Sequence, residues 1–153
     1  YKGMMVDACV TSCVGGNPSS AVKHLLNDTQ KALAAGIATV KPGAKTGDIG
    51  AAVEKSLKKS KLGNIYQLVG HGIGEKMHMP PEVANFGKKG HGTAVQAGDT
   101  FCIEPMTSLG KGDVNFDQDG DEWSVYMKDG SLSAYLAHTV LVTDDGVEVL
   151  TLE

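Results

Sequence analysis

The chain has 153 residues, a formal net charge of −4 and 41% hydrophobic residues. These values are typical of one soluble globular domain, and we take residues 1–153 as a single domain. No apolar run approaches the roughly 18 residues that a membrane span needs, and the acidic balance disfavours a general nucleic-acid-binding protein.

The cysteines and the first residues bear on the cellular compartment. Cys9, Cys13 and Cys102 lack the paired spacings of a disulfide framework or a zinc finger. We therefore expect the reducing interior of a cell, most simply the cytoplasm, with an organelle interior as the alternative. The chain opens without a signal-peptide pattern and without an initiator methionine, so we expect a processed or truncated sequence.

The first third of the chain predicts a strand followed by a helix. Residues 4–15 are expected to form a short strand that ends at a Gly-Gly-Asn-Pro turn. Ser19 or Ser20 can cap a helix that runs to about Val40, because apolar residues recur there at three- and four-residue spacings.

A second helix is predicted from Thr46 to about Leu62. Apolar residues again form a stripe along it, and Gly63 is expected to end it. Its lysines are interpreted as a solvated face rather than a binding patch: Lys55, Lys58, Lys59 and Lys61.

The remainder of the chain has the periodicity of strands. Strands are predicted at residues 65–69, 100–104, 123–127, 133–142 and 147–152. Turn residues occupy 128–130 and 144–146, and the second of these turns predicts a hairpin. Residues 84–98 are expected to form a surface loop. Two helices followed by mixed strands indicate an α+β fold.

His71 is the first residue that could carry chemistry. It lies in the run Gly-His-Gly-Ile-Gly at 70–74, directly after a predicted apolar strand. The glycines allow the backbone to approach a ligand closely, and functional sites concentrate at strand ends. Imidazole nitrogen binds Zn, Mn, Fe or Co. A histidine between glycines can equally be structural, so this pattern alone leaves both interpretations open.

Glu104 is the second candidate. It ends the apolar run Phe-Cys-Ile at 101–103 and precedes Pro105. A carboxylate at the end of a buried strand costs free energy unless it is paired or bound to a metal. An ordinary salt bridge would explain the residue as well as a metal ion would.

Three segments together resemble the methionine aminopeptidases, which are dinuclear metallopeptidases with the pita-bread fold. They are Gly-His-Gly-Ile-Gly at 70–74 with His78 following, Phe-Cys-Ile-Glu-Pro-Met at 101–106, and Tyr-Leu-Ala-His-Thr at 135–139. The run from Asp7 to Gly15 is also similar, and the resemblance covers about residues 2–152. It implies half of a pita-bread fold, with two helices packed on a mainly antiparallel curved sheet and without the family's N-terminal half.

The resemblance also implies roles for individual residues. Asp7, His71 and Glu104 match metal ligands, and His78 and Glu104 match catalytic residues. The histidine that matches His78 hydrogen-bonds to the scissile amide, although a loop histidine without a role is the alternative. Ala137 stands where the family has a metal-bridging glutamate. The family's complete site has four carboxylates and one histidine.

The expected activity follows from this resemblance and from Ala137. The family reaction is metal-dependent hydrolytic removal of N-terminal methionine from new proteins. Two remaining carboxylates would leave half the charge of two divalent ions uncompensated, so we expect at most one ion, Co, Mn, Fe or Zn, and an absent or crippled peptidase. If another chain supplies the missing half, the hypothesis that the protein is an active enzyme still holds. The contrasting hypotheses are a pseudoenzyme that binds protein N-termini, a ribosomal surface or another protein, and a purely structural domain.

The expected partners follow from the same half fold. Peptides or protein N-termini that begin with methionine are the expected ligands. Half of a pita-bread fold would leave a sheet face and a sheet edge uncovered, which favours a symmetric homodimer or a complementing chain. Contact with a ribosome is an additional hypothesis. Membrane binding and direct nucleic-acid specificity are not expected.

Overall fold

The structure is a computed structural model that describes residues 2–116, 120 and 123–152. Its helices are α1 (Ser20–Ile37) and α2 (Thr46–Ser60). Its strands are β1 (Ala8–Cys9), β2 (Gly63–Asn64), β3 (Gly70–Gly72), β4 (Met79–Val83), β5 (Thr100–Ile103), β6 (Met106–Ser108), β7 (Val114–Phe116), β8 (Val125–Met127), β9 (Ser133–Tyr135), β10 (Ala137–Val142) and β11 (Val147–Val149).

The strands of the described residues form three antiparallel sheets. The largest has the order β1-β10-β5-β3-β4, with β11 also paired to β10. A second sheet has the order β2-β6-β9, and β7 pairs with β8. The predicted α+β arrangement of two helices on mainly antiparallel strands is therefore confirmed. The large sheet matters most for function, because segments far apart in the chain meet on it.

The helices begin largely where their caps predict. The Ser19 hydroxyl accepts a hydrogen bond from the Val22 N–H, which satisfies a free donor in the first turn of α1. The expected end of α2 at Gly63 is wrong: Lys61 takes the left-handed conformation, with φ at 57°. In the part of the chain that the structure describes, no helix has the length and apolar character needed to cross a membrane.

The hydrophobic core lies between the helices and one face of the large sheet. Leu33 of α1 and Ile49 of α2 pack in the same buried cluster as Phe101 and Ile103 of β5. Side chains alternate between the two faces of a strand, so Cys102 between them points to the other face. The same strand thus faces the core on one side and the candidate site on the other.

Several predicted strands were placed wrongly. Residues 65–69 are not a strand; β2 and β3 lie on either side of them, so His71 lies within β3 rather than after a strand. Of the run 4–15, the described strand is Ala8–Cys9, which pairs with β10; Met5 and Thr11 are held by hydrogen bonds to Gly74 and Tyr135. The predicted strand 133–142 is interrupted at Leu136, where the chain passes from one sheet to another.

Other strands were too long or were missed. The strands at 123–127 and 147–152 shrink to β8 and β11, while β5 and the β10–β11 hairpin are confirmed. Strand β4 was missed because it contains Pro80 and Pro81, which lack the amide hydrogen that a central strand needs. It lies at the sheet edge, where proline is tolerated.

Gly50 is a sensitive packing position on α2. A Cβ added there would lie 2.6 Å from the Ala84 carbonyl oxygen and closer still to that of Phe86. We expect Gly50→Ala to destabilise the fold by a net of about 1–2 kcal/mol. The clash with backbone, which cannot move aside cheaply, costs about 2–3 kcal/mol, and the helix propensity of alanine offsets about 1 kcal/mol of that cost. Urea denaturation measures the difference.

The neighbouring Ala51 provides the control for this prediction. Ala51→Gly changes the same helix without the clash and should cost about 1 kcal/mol through helix propensity alone. A Gly50→Ala variant as stable as the parent chain would contradict the close packing of α2 on residues 84–86.

Candidate metal centre

Four side chains with metal-binding atoms meet on the face of the large sheet that is turned away from the helices. They are Asp7, His71, Cys102 and Glu104, and one ligand atom of each lies within 4.8 Å of all the others. Cys102 and Glu104 are buried, while Asp7 and His71 are half-buried. The structure thus brings the three predicted ligands together and adds a cysteine that the sequence interpretation did not include.

Strand pairing explains why residues so distant in the chain converge. Cys102 lies opposite Thr139 of β10 in the register of β5. The N–H of Asp7 donates to the Thr139 hydroxyl at 2.8 Å, and that hydroxyl donates to the Asp7 carbonyl oxygen at 2.7 Å. A buried threonine in the middle of β10 therefore holds Asp7, the residue before β1, against β10, which separates β1 from β5.

The same threonine contacts the cysteine. Its Oγ1 lies 3.4 Å from the Cys102 Sγ. Because the single hydroxyl proton is directed to Asp7, the thiol is the donor in this contact. Burial is the main cause that raises the pKa of the Cys102 thiol to about 11, and the nearby charge of Glu104 adds to it.

His71 presents a lone pair to the site. Its Nδ1 lies 2.9 Å from the Gly72 carbonyl oxygen. A carbonyl oxygen only accepts, so Nδ1 carries the proton and Nε2 is left as an acceptor. Metal-binding histidines are commonly oriented in this way by a hydrogen bond from the other ring nitrogen. His71 therefore has the tautomer that a metal ligand requires.

Glu104 has one satisfied and one unsatisfied oxygen. Oε2 accepts a hydrogen bond of 2.8 Å from the Tyr135 hydroxyl. Oε1 lies 3.1 Å from the His71 Nε2, which is close enough for an ion pair. Yet among the described residues this buried oxygen has no hydrogen-bond partner, so the two atoms are close but not aligned for a bond. With the proton of His71 on Nδ1 and Glu104 ionised, Nε2 and Oε1 are both acceptors, so no hydrogen bond joins them.

The electrostatics of Glu104 agree with that geometry. Burial raises the pKa of the Glu104 carboxyl, and the charge of Asp7 adds to the increase, although the Tyr135 hydrogen bond opposes it, as a protonated His71 or His78 would. Burial is also the main cause that raises the pKa of the Tyr135 hydroxyl, and the charge of Glu104 is the second cause. An unpartnered buried oxygen facing an imidazole lone pair, a carboxylate and a thiol fits a divalent cation.

His78 lies at the rim of this group. Its ring contacts that of His71 edge to face, with the centroids 4.4 Å apart. His78 is exposed, whereas His71 is half-buried. An exposed imidazole beside the inner ligands can reach a bound molecule without filling the ligand site. Its predicted role toward a scissile amide stays a prediction.

Ala137 occupies a buried position next to the ligands. It pairs with Cys9 in the β1–β10 register. The β5–β10 register pairs His138 with Ile103. Extending this register by one residue places Ala137 opposite Glu104. A longer acidic side chain at 137 would therefore point at the Glu104 carboxylate. In this chain the Cys9 thiol lies alongside and donates to the Tyr135 carbonyl oxygen at 3.5 Å.

Two residues of the site were missed by the sequence interpretation. Cys102 and Tyr135 were recognised only as parts of motifs. A signal for Cys102 was present, because residues 102 and 104 of one strand share a face. Tyr135 gave no such signal, since its contact with Glu104 depends on how β9 and β5 meet.

The chain is similar to known proteins over nearly its whole length. Residues 1–144 match the sequence profile of metallopeptidase family M24. Methionine aminopeptidase B of Synechocystis is 42% identical over 137 residues, which are 90% of this chain and 49% of the relative. The methionine aminopeptidase of Escherichia coli is 38% identical and is covered to 51%. The chain thus spans about half the length of the curated relatives it matches.

Solved structures agree. The crystal structure of methionine aminopeptidase from Rickettsia prowazekii superimposes with a TM-score of 0.95 at 37% identity, covering 99% of this chain and 60% of that one. Prolidase from Pyrococcus furiosus, at 20% identity and a TM-score of 0.76, shares the fold. These likenesses confirm the predicted pita-bread arrangement.

Proposed function

This chain belongs to metallopeptidase family M24, and we propose that it is a methionine-aminopeptidase-like domain that binds one divalent ion, Zn, Co, Mn or Fe, through Asp7, His71 and Glu104. The observation that carries this proposal is the buried Glu104 Oε1, which lacks a hydrogen-bond partner among the described residues and faces the His71 Nε2 at 3.1 Å. Two carboxylates balance the charge of one divalent ion, and a second ion would have no anionic partner in this group.

The proposed substrate is a peptide or protein N-terminus that begins with methionine. A divalent ion at this site would act as a Lewis acid on the substrate carbonyl. Tyr135 holds Glu104 in place through its hydrogen bond to Oε2, which leaves Oε1 directed into the site. Glu104 can accept a proton there, and the exposed His78 can donate a hydrogen bond to the substrate amide.

Ala137 limits the activity proposed for this chain. Its methyl group lies opposite Glu104, where the resemblance implies a carboxylate that bridges two ions. With one ligand fewer, we infer a weaker, mononuclear site and poor hydrolysis by these 153 residues alone. A complementing chain or a second copy that completes the site would restore more activity.

The 153-residue chain is expected to release negligible methionine from the peptide Met-Ala-Ser, even with added Co²⁺ or Mn²⁺. The physical reason is the absence of two of the four carboxylates that the resemblance implies, without which a second ion cannot be held beside the first. Methionine release can be followed by chromatography, with the E. coli enzyme as positive control. Turnover within about tenfold of that enzyme would contradict the ligand argument, since a lost ligand should cost more than that.

A binding role is the second candidate, and Ala137 favours it. A site that keeps His71 and His78 but loses a bridging carboxylate can hold an N-terminus without cleaving it. Fluorescence anisotropy with a labelled Met-Ala-Ser peptide separates the two functions. Binding without turnover supports the binding role, and turnover supports the enzyme. Homodimer formation, a complementing chain, ribosome contact and a cytoplasmic location stay predictions.

A further inference from the structure

We propose that Cys102 is a fourth ligand of the metal centre, so that the site takes a thiolate together with two carboxylates and one imidazole and prefers Zn²⁺ to Mn²⁺. This inference rests on the metal site proposed above and deepens it. The thiol proton passes to solvent as the sulfur–metal bond forms. The result would be a four-ligand mononuclear centre instead of a damaged dinuclear one.

The position of the sulfur supports this proposal. Its distance to the ligand atoms of Asp7, His71 and Glu104 is at most 4.8 Å. In a tetrahedral zinc site, with bonds of roughly 2.0–2.3 Å, neighbouring ligand atoms are roughly 3.3–3.8 Å apart. A contraction of about 1 Å in the widest pair would therefore form the site, which side-chain rotation can provide.

The burial of Cys102 has an ordinary alternative explanation, which the strand geometry disfavours. Free cysteine is often a small core residue. Phe101 and Ile103 on either side belong to the hydrophobic core cluster, and Cys102 does not. Alternation along β5 instead directs the thiol to the face of Glu104. A cysteine on this face adjoins polar and acidic groups, so hydrophobic packing alone does not explain a cysteine at this position.

A second observation at the same place points to a ligand. The Glu104 side chain is 4% exposed, and its Oε1 has no hydrogen-bond partner among the described residues. An unpartnered buried oxygen costs about 1–3 kcal/mol, more when it is charged. A cation between this oxygen, the His71 Nε2 and the Cys102 Sγ would satisfy all three at once. Ala137 removes an oxygen donor from this face, and Cys102 supplies a sulfur donor instead.

The donor set determines the preferred metal. Thiolate and imidazole favour Zn²⁺, while sites made of carboxylates and water suit Mn²⁺ and Mg²⁺. Two carboxylates and one thiolate would give the bound Zn²⁺ site a net charge of −1, as in a structural site of three cysteines and one histidine. The His71 hydrogen bond to the Gly72 carbonyl oxygen provides the usual orienting contact for the imidazole.

The test begins with the metal-free chain and Co²⁺, a spectroscopic substitute for Zn²⁺. We expect one equivalent to bind and to produce a near-ultraviolet thiolate-to-cobalt charge-transfer band. Cys102→Ser should abolish the band and lower Zn²⁺ affinity by at least about 100-fold, measured by competition with a chromophoric chelator. Its Mn²⁺ affinity should change by less than about tenfold, because oxygen ligands suffice for that ion.

The matched control is Cys13→Ser, which changes an exposed cysteine outside the ligand group and should retain the band and both affinities. Wild-type protein that binds one Co²⁺ without a charge-transfer band overturns the role of Cys102 while leaving the proposed metal site intact. A band that survives in Cys102→Ser also overturns it. A folded wild-type chain that binds neither Co²⁺ nor Zn²⁺ overturns both proposals. Because the wild-type spectrum needs no substitution, a misfolded variant does not prevent the test.

Discussion

Replacing Glu104 with glutamine is expected to lower the affinity of the chain for Zn²⁺ by more than about 100-fold, because a direct ligand is lost rather than an outer contact. In the absence of metal, the Glu104→Gln variant should be at least as stable as the wild-type chain. A neutral amide of nearly equal size removes a buried charge, and the Tyr135 hydroxyl can still donate to the amide oxygen. Chelator competition measures the affinity, and urea denaturation in EDTA measures the stability.

This pair of results distinguishes a ligand from a structural carboxylate. If Glu104 served mainly as an ion-pair partner of His71, glutamine would destabilise the metal-free fold. The control is Glu54→Gln, since Glu54 pairs with Lys58 on the outer face of α2 at 2.9 Å. That variant should keep its metal affinity and lose at most about 1 kcal/mol. A Glu104→Gln chain that still binds Zn²⁺ like the wild type would remove the basis of the proposed site.

Ala137→Glu is expected to make the stability of the fold depend on metal. Without metal, the new carboxylate would lie in a buried strand opposite Glu104 and close to Asp7, so the variant should lose about 2–4 kcal/mol. A divalent ion bound between the acidic groups should recover most of this loss, and metal affinity should rise. Urea denaturation in EDTA and in saturating Zn²⁺ gives the two stabilities.

The matched variant is Ala137→Gln, which adds nearly the same volume without the charge. It should be destabilised by crowding in both conditions and gain less from Zn²⁺ than the glutamate variant. Equal stability of Ala137→Glu with and without metal would show that residue 137 does not face the ligands. Full peptidase activity is not expected from this change, because the variant still has three carboxylates where the resemblance implies four.

The sequence alone predicts the features that depend on neighbouring residues. The Ser19 cap, the two amphipathic helices and the hairpin at 144–146 follow from turn chemistry and from a period of 3.6 or 2 residues. The contiguous motifs at 70–74 and 101–106 also carry the resemblance to the family, and the match over residues 1–144 confirms it. These features depend on interactions between residues that are close in the chain, so the amino-acid sequence is sufficient to predict them.

The tertiary structure decided which segments pair and therefore what the site contains. Residues 65–69 have the composition of a strand, yet the sheet order includes no strand from them. Asp7 and Thr139 are 132 positions apart and become neighbours through β1 and β10. Cys102 and Tyr135 enter the site for the same reason. Local propensity carries no information on distant pairing; the contacts that surround Glu104 are set by long-range register and by the burial that packing imposes.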